Sequence, residues 1–316
     1  MKISELRENL SNLEGTYIVS DIRTDVARNG STYVRGKFSD LSGSLGFTFF
    51  DGDLGLSPAL NGEVVRVSGF QTQIYNGTLQ IQGSASRTSI TFPKNVTDEE
   101  KAQLVEGFSE NVDKMLAYME SEISRIEDAD YRAVTETIWN RNKEQFQNIP
   151  AALSHHHSGI HGLLRHTNEM LYMAESVISL YRENINGSLL RSGVILHDIG
   201  KLKELECSGL GLVKRYSLAG NLAGHLVLGA EEVMRIAGEL NIPEEKALLL
   251  QNLILAHHGK PEYGMAARPA SLEAIVLFYL DYASSHITEY SDILKTVAPG
   301  ESTPYISELN ARLIRH

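Results

Sequence analysis

The sequence predicts two modules: an N-terminal all-β barrel over residues 1–95 and an all-α module over residues 151–316. A helical connector over residues 96–150 joins them. Three observations lead to this division. Short runs alternate between apolar and polar residues in the first part, helical periodicity fills the rest, and all 11 histidines lie at or after His155. A length of 316 residues also fits about two domains.

The charge of the chain divides at the same place. Residues 1–95 carry nine basic and nine acidic side chains, so the whole formal net charge of −11 falls on the remaining residues. An acidic chain is a poor candidate for tight nonspecific binding to duplex DNA, which depends on many phosphate contacts. The neutral front module can still carry a local nucleic-acid groove.

Composition also limits the location of the protein. The single cysteine rules out a disulfide framework and a cysteine-based zinc finger, and it suits a reducing cytoplasm. No apolar run approaches the roughly 18 residues that cross a bilayer, and the first residues lack the apolar segment of a secretory signal. We therefore expect a cytoplasmic protein with no membrane partner. The number of subunits stays open, and a homo-oligomer is one of the alternatives.

Five short alternating runs predict the strands of a small closed barrel. Asn-Gly pairs at residues 29–30, 61–62 and 76–77 separate strand-like runs and favour the positive φ that tight turns need. The runs cover residues 17–19, 32–38, 44–50, 63–69 and 79–82.

The order of these features resembles an OB-fold of the nucleic-acid-binding type. The resemblance implies a groove in which aromatic rings stack on bases and basic side chains contact phosphates. Phe47 and Phe49 share one face of their strand, and alternation leaves open whether that face is buried; core packing is the alternative role for all these rings. The stacking candidates are Tyr33, Phe47, Phe49 and Tyr75, and the phosphate candidates are Arg23, Arg28, Arg35, Lys37 and Arg66.

The connector reads as helices that pack on the back module. Thr97 and Glu100 fit a capping box, and apolar residues then recur at helical spacing as far as Ile126. A second helix is predicted from Asp130 to Gln147. Because the segment lacks enrichment in Gly, Ser and Pro, it is not a flexible linker.

The back module carries the chemical signal. His197 and Asp198 follow an apolar run and precede Gly200, which places them near the end of a helix. Imidazole nitrogens and carboxylate oxygens together suit Mn, Fe, Co, Ni or Zn. A histidine upstream, His166, and an aspartate downstream, Asp281, strengthen this interpretation of a pair that is common by chance. Four such ligands leave coordination positions open for water and a phosphate oxygen, as catalytic metals require.

The complete pattern of histidines and aspartates resembles the HD-domain metallophosphohydrolase superfamily. The stretches that carry the resemblance are residues 156–167, 196–201, 220–229, 253–264 and 272–281. With the barrel in front, the order of modules resembles that of the YhaM-type 3′-to-5′ exoribonucleases of bacteria.

This resemblance implies roles for individual residues. At one position this chain departs from the family pattern, because His161 stands where a second glycine is usual. The ligands implied for a first ion are His166, His197, Asp198 and Asp281. The residues implied to bind or border a second ion are His225, His257 and His258. Asp198 and Lys201 are the implied catalytic residues, with Lys201 contacting a substrate phosphate. By their positions in the sequence, Arg165, His157 and His161 are further substrate-binding candidates. The alternatives are pairing with a surface carboxylate for Arg165, a place behind the ligands for His157, and narrowing of the site or exposure to solvent for His161.

The activity implied is metal-dependent 3′-to-5′ exonucleolysis of single-stranded RNA, with single-stranded DNA as an additional substrate, releasing nucleoside 5′-monophosphates. One or two divalent ions are expected, Mn²⁺ first, with Co²⁺, Fe²⁺, Ni²⁺, Mg²⁺ and Zn²⁺ as alternatives. Two other functions stay open. One is hydrolysis of small nucleotides, with the barrel as a regulatory or oligomer contact, and the other is single-strand binding without catalysis. RNA or DNA preference and processivity stay undecided.

Overall fold

The computed structural model describes residues 1–27, 30–50, 54–84, 86–105, 111–151 and 159–316. The chain forms two compact units. The barrel unit consists of Met1–Glu110 and Glu206–Arg215, and the helical unit consists of Asn111–Leu205 and Tyr216–His316.

The barrel unit is built on one sheet of six strands. They are β1 (Leu13–Val26), β2 (Thr32–Asp40), β3 (Gly43–Phe50), β4 (Val64–Tyr75), β5 (Thr78–Ser84) and β6 (Ser89–Thr91). The order is β1-β2-β3-β5-β4, β4 pairs back onto β1, and β6 pairs with β4. Strands β3 and β5 run parallel, whereas the other neighbouring pairs are antiparallel. A closed five-stranded barrel of this order is an OB-fold, so the predicted fold of the first module is confirmed.

The turn between β4 and β5 follows the predicted chemistry. Asn76 and Gly77 have φ values of 50° and 78°, and Tyr75 pairs with Thr78 across the turn. Two successive positive φ values match the twist of the flanking strands, which is why Asn-Gly is favoured there. Of the other predicted Asn-Gly turns, Gly62 also has positive φ, and Asn29 lies outside the described residues.

Stacked aromatic rings fill the barrel. Phe38 lies 4.3 Å from Phe47 between ring centroids, and Phe47 lies 5.0 Å from Phe49. Gly36 stands opposite Phe47 on β2, where a Cβ atom would come within 2.7 Å of the ring. The face of β3 that carries Phe47 and Phe49 is therefore the core face, and Phe50 points outward with 37% exposure.

A second, smaller apolar cluster extends the barrel unit. Helix α1 (Asp98–Leu104) begins with the predicted capping box, in which Thr97 Oγ1 accepts from the Glu100 amide at 3.2 Å. Residues 206–215 also belong to this unit. They include most of strands β7 (Leu205–Cys207) and β8 (Val213–Tyr216) and the turn that joins them. The cluster contains Ile18, Val64, Leu104, Val105 and Leu210. Because burial of Leu104 and Val105 holds α1 on the barrel, this unit extends beyond the predicted boundary at residue 95.

Eight α-helices lie in the described part of the helical unit. They are α2 (Val112–Ser124), α3 (Ala129–Phe146), α4 (Gly162–Leu180), α5 (Gly187–Leu196), α6 (Lys201–Glu204), α7 (Leu218–Glu239), α8 (Glu244–Ala256) and α9 (Leu272–Lys295). Helix α3 matches the helix predicted from Asp130 to Gln147 within one residue at each end. The all-α prediction for this module is confirmed. Within the described ranges, we find no helix with the length and apolar character to cross a membrane.

Candidate metal centre and nucleic-acid interface

Five segments of the helical unit bring the predicted ligands together. Helices α5 and α8 both end immediately before a ligand pair, and α4 and α9 carry theirs within the helix. In α7 the ligand directly follows a break at Gly224, which has φ of 72°. The residues are His166 on α4, His197 and Asp198 after α5, His225 on α7, His257 and His258 after α8, and Asp281 on α9.

One cluster contains the ligands predicted for a first ion. Donor atoms of His166, His197 and Asp198 all lie within 4.8 Å of one another, and the three residues are buried. Asp281 joins them through its Oδ1 atom, which lies 3.2 Å from His166 Nε2. Residues that are separated by up to 115 positions in sequence thus meet around one point.

A second cluster lies against the first. It contains His225, His257 and His258, with His225 Nε2 only 3.3 Å from His258 Nε2. The Nε2 atoms of His225 and His257 each lie 3.7 Å from Asp198 Oδ1. The other carboxylate oxygen, Asp198 Oδ2, lies 3.3 Å from His197 Nε2. Asp198 is therefore placed between the clusters with one oxygen toward each.

Hydrogen bonds at the Nδ1 atoms of His197 and His257 orient the Nε2 atoms of these two rings toward the clusters. His197 Nδ1 donates to the Val194 carbonyl at 2.8 Å, and His257 Nδ1 donates to the Ile254 carbonyl at 2.8 Å. Both carbonyls belong to the last turn of a helix, where no later amide of the same helix is available to donate a hydrogen bond to them. Donation from Nδ1 leaves a lone pair on Nε2, which is the arrangement typical of metal-binding histidine.

The donor set fits divalent cations. Among the described residues, His197 Nε2, Asp198 Oδ1 and His258 Nδ1 are buried side-chain atoms with no hydrogen-bond partner. Leaving a buried acceptor without a partner costs about 1–3 kcal/mol each. A cation between the clusters would satisfy His197 Nε2 and Asp198 Oδ1 at once. Mixed imidazole and carboxylate donors suit Mn, Fe, Co, Ni or Zn.

At three of the candidate ligands, Asp198, Asp281 and His257, electrostatics favour the protonation state that binds metal. Burial alone would raise the pKa of Asp198, but the adjacent Lys201 and the imidazole of His197 outweigh it and hold that pKa well below its usual range. Burial would likewise raise the pKa of Asp281, and the hydrogen bond from His166 lowers it below the usual range. Burial lowers the pKa of His257 well below that of free imidazole. The carboxylates are therefore ionised and His257 is neutral at pH 7.

Lys201 is fixed beside Asp198. Its Nζ atom lies 2.6 Å from Asp198 Oδ2 and 2.6 Å from the carbonyl of Ala151. Gly200, which precedes it, packs so closely on α7 that a Cβ atom would lie 2.0 Å from the His225 carbonyl oxygen. The glycine thus lets the segment that carries Asp198 and Lys201 approach the segment that carries His225.

Sequence reasoning missed two residues that position the ligands. The Glu204 carboxylate accepts from both the backbone amide and Nδ1 of His225, each at 3.0 Å. Burial opposes ionisation of Glu204, but the bonds with His225 outweigh it and lower its pKa. Ser284 Oγ lies 3.0 Å from His166 Nδ1. Their spacing gives a weak signal: Ser284 follows Asp281 by three positions on one helix, and Glu204 closes the turn that Lys201 begins.

The three remaining substrate-binding candidates, His161, Arg165 and His157, have different outcomes. His161 is 9% exposed and has φ of 65°, a left-handed conformation that explains why glycine suits this position. Its Nδ1 atom pairs with the Gln147 carbonyl. Arg165 is half-buried on α4. His157 lies outside the described residues.

Two of the predicted stacking residues of the barrel are wrong. Phe47 and Phe49 are 2% and 1% exposed in the barrel core, so neither ring can present a face to a base. Tyr75, in contrast, is 56% exposed. Tyr33 is half-buried with its ring 6.0 Å from that of the exposed Phe50, an outward ring that sequence reasoning missed.

Three of the five basic candidates of the barrel line one groove on its surface. A concavity of about 300 Å³ is lined in part by Arg23, Arg35 and Lys37. Arg35 Nε lies 2.5 Å from an Asp25 oxygen, and Lys37 Nζ lies 2.8 Å from an Asp21 oxygen. Exposed pairs of this kind are worth about 0–1 kcal/mol, so a phosphate can replace the carboxylate. Of the remaining two, Arg66 pairs with Glu100 at 2.8 Å, and Arg28 lies outside the described residues.

Comparisons with known proteins agree with this geometry. Residues 163–285 match the family model described as "HD domain", so the helical unit contains an HD domain. A protein of Listeria innocua named "3'-5' exoribonuclease YhaM" is 37% identical over 202 residues, which cover 64% of this chain and 63% of that protein. A protein of the same name from Bacillus pumilus is 39% identical over 57% of this chain and 56% of its own length. These alignments thus span less than two thirds of either relative.

Among solved structures, the solution structure of the OB domain of Ta0387 from Thermoplasma acidophilum is 15% identical. The match covers 31% of this chain and 89% of that chain, with a TM-score of 0.27. The assignment of the barrel as an OB-fold depends on its strand order.

Proposed function

We propose that this protein is a metal-dependent 3′-to-5′ exoribonuclease that acts on single strands and releases nucleoside 5′-monophosphates. The observation that carries the proposal is the pair of clusters, one buried and one partly buried, that meet at Asp198. Two sets of donors that share one carboxylate are typical of sites that clamp the attacking and leaving oxygens of a phosphodiester. The similarity to proteins named 3'-5' exoribonuclease supports this class of substrate.

Divalent ions bound here would supply Lewis-acid polarisation of the phosphodiester and a lowered pKa for attacking water. His166, His197, Asp198 and Asp281 would hold one ion, and His225, His257 and His258 would hold or border another. The chain itself keeps these donors ready: buried hydrogen bonds fix the rings, so little reorganisation accompanies the reaction. Mn²⁺ is the ion that we expect, and the donor set also accommodates Co²⁺, Fe²⁺, Ni²⁺ and Zn²⁺. Mg²⁺ is the weakest alternative, because it prefers an all-oxygen shell.

Lys201 has two roles in this proposal. It neutralises Asp198, and two of its three N–H donors already contact Asp198 and the Ala151 carbonyl. The third donor can contact a phosphoryl oxygen and stabilise its charge in the transition state. Loss of Lys201 should therefore affect both metal binding and the chemical step.

The barrel unit would hold the single strand away from the reacting end. Arg23, Arg35 and Lys37 offer phosphate contacts, and the exposed Tyr75 offers a ring for stacking. Stacking is tolerant of base identity, which suits an enzyme that degrades any sequence. We place this activity in the cytoplasm, in keeping with the single cysteine.

The direct test uses purified full-length protein, Mn²⁺ and a 5′-labelled single-stranded RNA, beside a matched DNA strand and a panel of nucleotides. A ladder that shortens from the 3′ end, with nucleoside 5′-monophosphates as products, is expected. Hydrolysis of nucleotides alone would replace the proposal by the small-nucleotide function. The assay is repeated with Co²⁺, Fe²⁺, Ni²⁺, Mg²⁺ and Zn²⁺. Binding of the strand without hydrolysis in the presence of any of these ions or Mn²⁺ would replace the exonuclease proposal by a single-strand-binding function.

A further inference from the structure

A group of aromatic rings lies next to the second histidine cluster. Tyr263, in the short 3₁₀ turn Pro261–Tyr263, has its ring centroid 6.0 Å from that of Tyr282 on α9, with 30° between the planes. Tyr282 stacks in turn on His286, 3.8 Å away at 25°. Tyr263 forms the outer end of this row and is 37% exposed. We call these three residues the ring row.

Close packing connects the ring row to the metal ligands. The ring of Phe278 lies so near Gly259 that a Cβ atom there would come within 2.2 Å of it, and Gly259 directly follows His258. On its other side, the ring of Phe278 lies 5.8 Å from that of Tyr282. Gly264, which follows Tyr263, would place a Cβ atom 3.9 Å from His258 Nδ1. A nucleotide with its phosphate at the clusters therefore has the ring row within reach of its base.

The turn presents Tyr263 in a defined position. The Tyr263 amide donates to the Lys260 carbonyl at 3.0 Å, and the Gly264 amide donates to the Pro261 carbonyl at 3.0 Å. Pro261 fixes φ at the start of the turn, and Gly264 closes it with φ of 84°. Little conformational freedom remains to be lost when a ligand stacks on the ring.

The charge around the site also favours stacking. The residues after 95 carry the whole net charge of −11, so attraction of phosphates to this unit is weak. A ring attracts a base without regard to charge. One exposed cation lies over this ring: Lys260 Nζ is 5.4 Å from the centroid of the Tyr263 ring. A base that stacks there displaces the ammonium group, which can then contact a phosphate.

We propose that Tyr263, supported by Tyr282 and accompanied by Lys260, forms a nucleobase subsite beside the metal ligands. The base of the 3′-terminal nucleotide stacks on Tyr263 in place of the Lys260 ammonium group, and Lys260 then contacts the phosphate of that nucleotide. Holding the terminal base fixes the scissile phosphate at the clusters, so these are substrate-positioning residues. The assignment of the terminal nucleotide depends on the proposed exonuclease function, whereas the stacking itself does not.

The test is a binding measurement in EDTA, which does not depend on hydrolysis. The probes are two RNA trinucleotides that carry fluorescent 2-aminopurine at the 3′ or the 5′ position, because stacking on a ring quenches this base. Wild-type full-length protein should quench the 3′ probe more than the 5′ probe. Tyr263→Ala should lose the excess quenching and weaken binding of the 3′ probe by roughly 5- to 150-fold, the range found for loss of one stacked base.

Two variants separate stacking from a general disturbance. Tyr263→Phe keeps the ring and should behave as wild type. Tyr279→Ala removes another exposed ring, 64% exposed on the same helix as Tyr282, and should also behave as wild type. Equal binding of the 3′ probe by wild type and Tyr263→Ala would overturn the subsite. Failure of the exonuclease proposal has a different result: wild type would leave RNA intact with Mn²⁺ while the dependence of quenching on Tyr263 persists.

Discussion

The barrel unit and the helical unit differ in the exposure and pairing of their charged and titratable side chains. In the barrel, Arg35 and Lys37 are more than half exposed, and each has a carboxylate partner on the same surface. In the helical unit, His197 and Asp198 are almost completely buried, and each has an atom without a hydrogen-bond partner among the described residues. The first arrangement is stable as it stands, whereas the second is costly without a ligand.

This difference indicates how each unit contributes to function. Exposed, paired cations exchange one anion for another at little cost, which suits a groove that must release a strand. Buried donors that converge on one point bind their ion tightly and in one geometry. We therefore expect changes in the helical unit to affect chemistry by large factors and changes in the barrel surface to affect strand binding by small ones.

The largest effect is expected from Asp198→Asn. This change removes the charge shared by both clusters, and metal-assisted charge stabilisation is worth several kcal/mol, about 10³-fold in rate. Hydrolysis of labelled RNA should fall by at least that factor while strand binding, measured by fluorescence anisotropy, stays unchanged. A rate within tenfold of wild type would show that the two clusters act without Asp198.

In the barrel core, Phe49→Ala should reduce stability without touching the chemistry. Truncation of a buried Phe costs about 3–5 kcal/mol because it leaves a cavity. The matched variant Tyr75→Ala removes an exposed ring and should change the free energy of unfolding by less than about 0.5 kcal/mol. Chemical denaturation monitored by circular dichroism compares the two. Similar losses of stability in both would contradict the assignment of Phe49 to the interior.

A smaller effect is expected from Glu204→Gln. The neutral amide would lose the negative charge beside His225 and one of the two oxygen contacts to its Nδ1 atom, which lie at 3.0 and 3.1 Å. Loss of such an orienting partner costs about 10- to 100-fold in metal affinity. Isothermal titration with Mn²⁺ measures this. Glu206→Gln is the control, since Glu206 pairs with Arg215 at 2.7 Å on the surface. If both variants bind Mn²⁺ as wild type does, Glu204 has no positioning role.

The smallest effect is expected from Lys37→Ala on the barrel surface. Loss of one phosphate contact should weaken strand binding about equally for all sequences and reduce the slope of log affinity against log salt by about 1. Affinities measured at several salt concentrations give this slope. An unchanged slope would place the strand elsewhere on the barrel.

The sequence predicted the helical site more completely than the barrel surface, for a physical reason. A metal site needs particular donors, so His197, Asp198 and Asp281 are informative as residue types wherever the chain brings them. The helix end at His197 was also predictable, because an apolar run precedes the pair and Gly200 follows it. No helix end was predicted at His257, which likewise follows directly after a helix. The positioning residue Glu204 was not predictable, because a carboxylate that accepts from a histidine has no fixed spacing to it.

In the barrel, residue type carries less information. Alternation assigned Phe47 and Phe49 to one face of β3, but only the closure of β3 onto β5 and the space left at Gly36 decide that this face is inside. The exposed ring of β3 is that of Phe50, which is not among the predicted stacking residues. The boundary at residue 95 was also displaced, since burial of Leu104 and Val105 depends on a partner segment, residues 206–215, more than 100 positions away.

The central claim is that the buried histidines and aspartates of the helical unit hold divalent ions. Elemental analysis of full-length protein purified without chelators and then equilibrated with Mn²⁺ tests this most directly, with His197→Ala as the comparison. We expect one or two ions per wild-type chain and a loss of at least one in the variant. Equal, negligible metal in both proteins, with RNA hydrolysis that continues in EDTA, would contradict it.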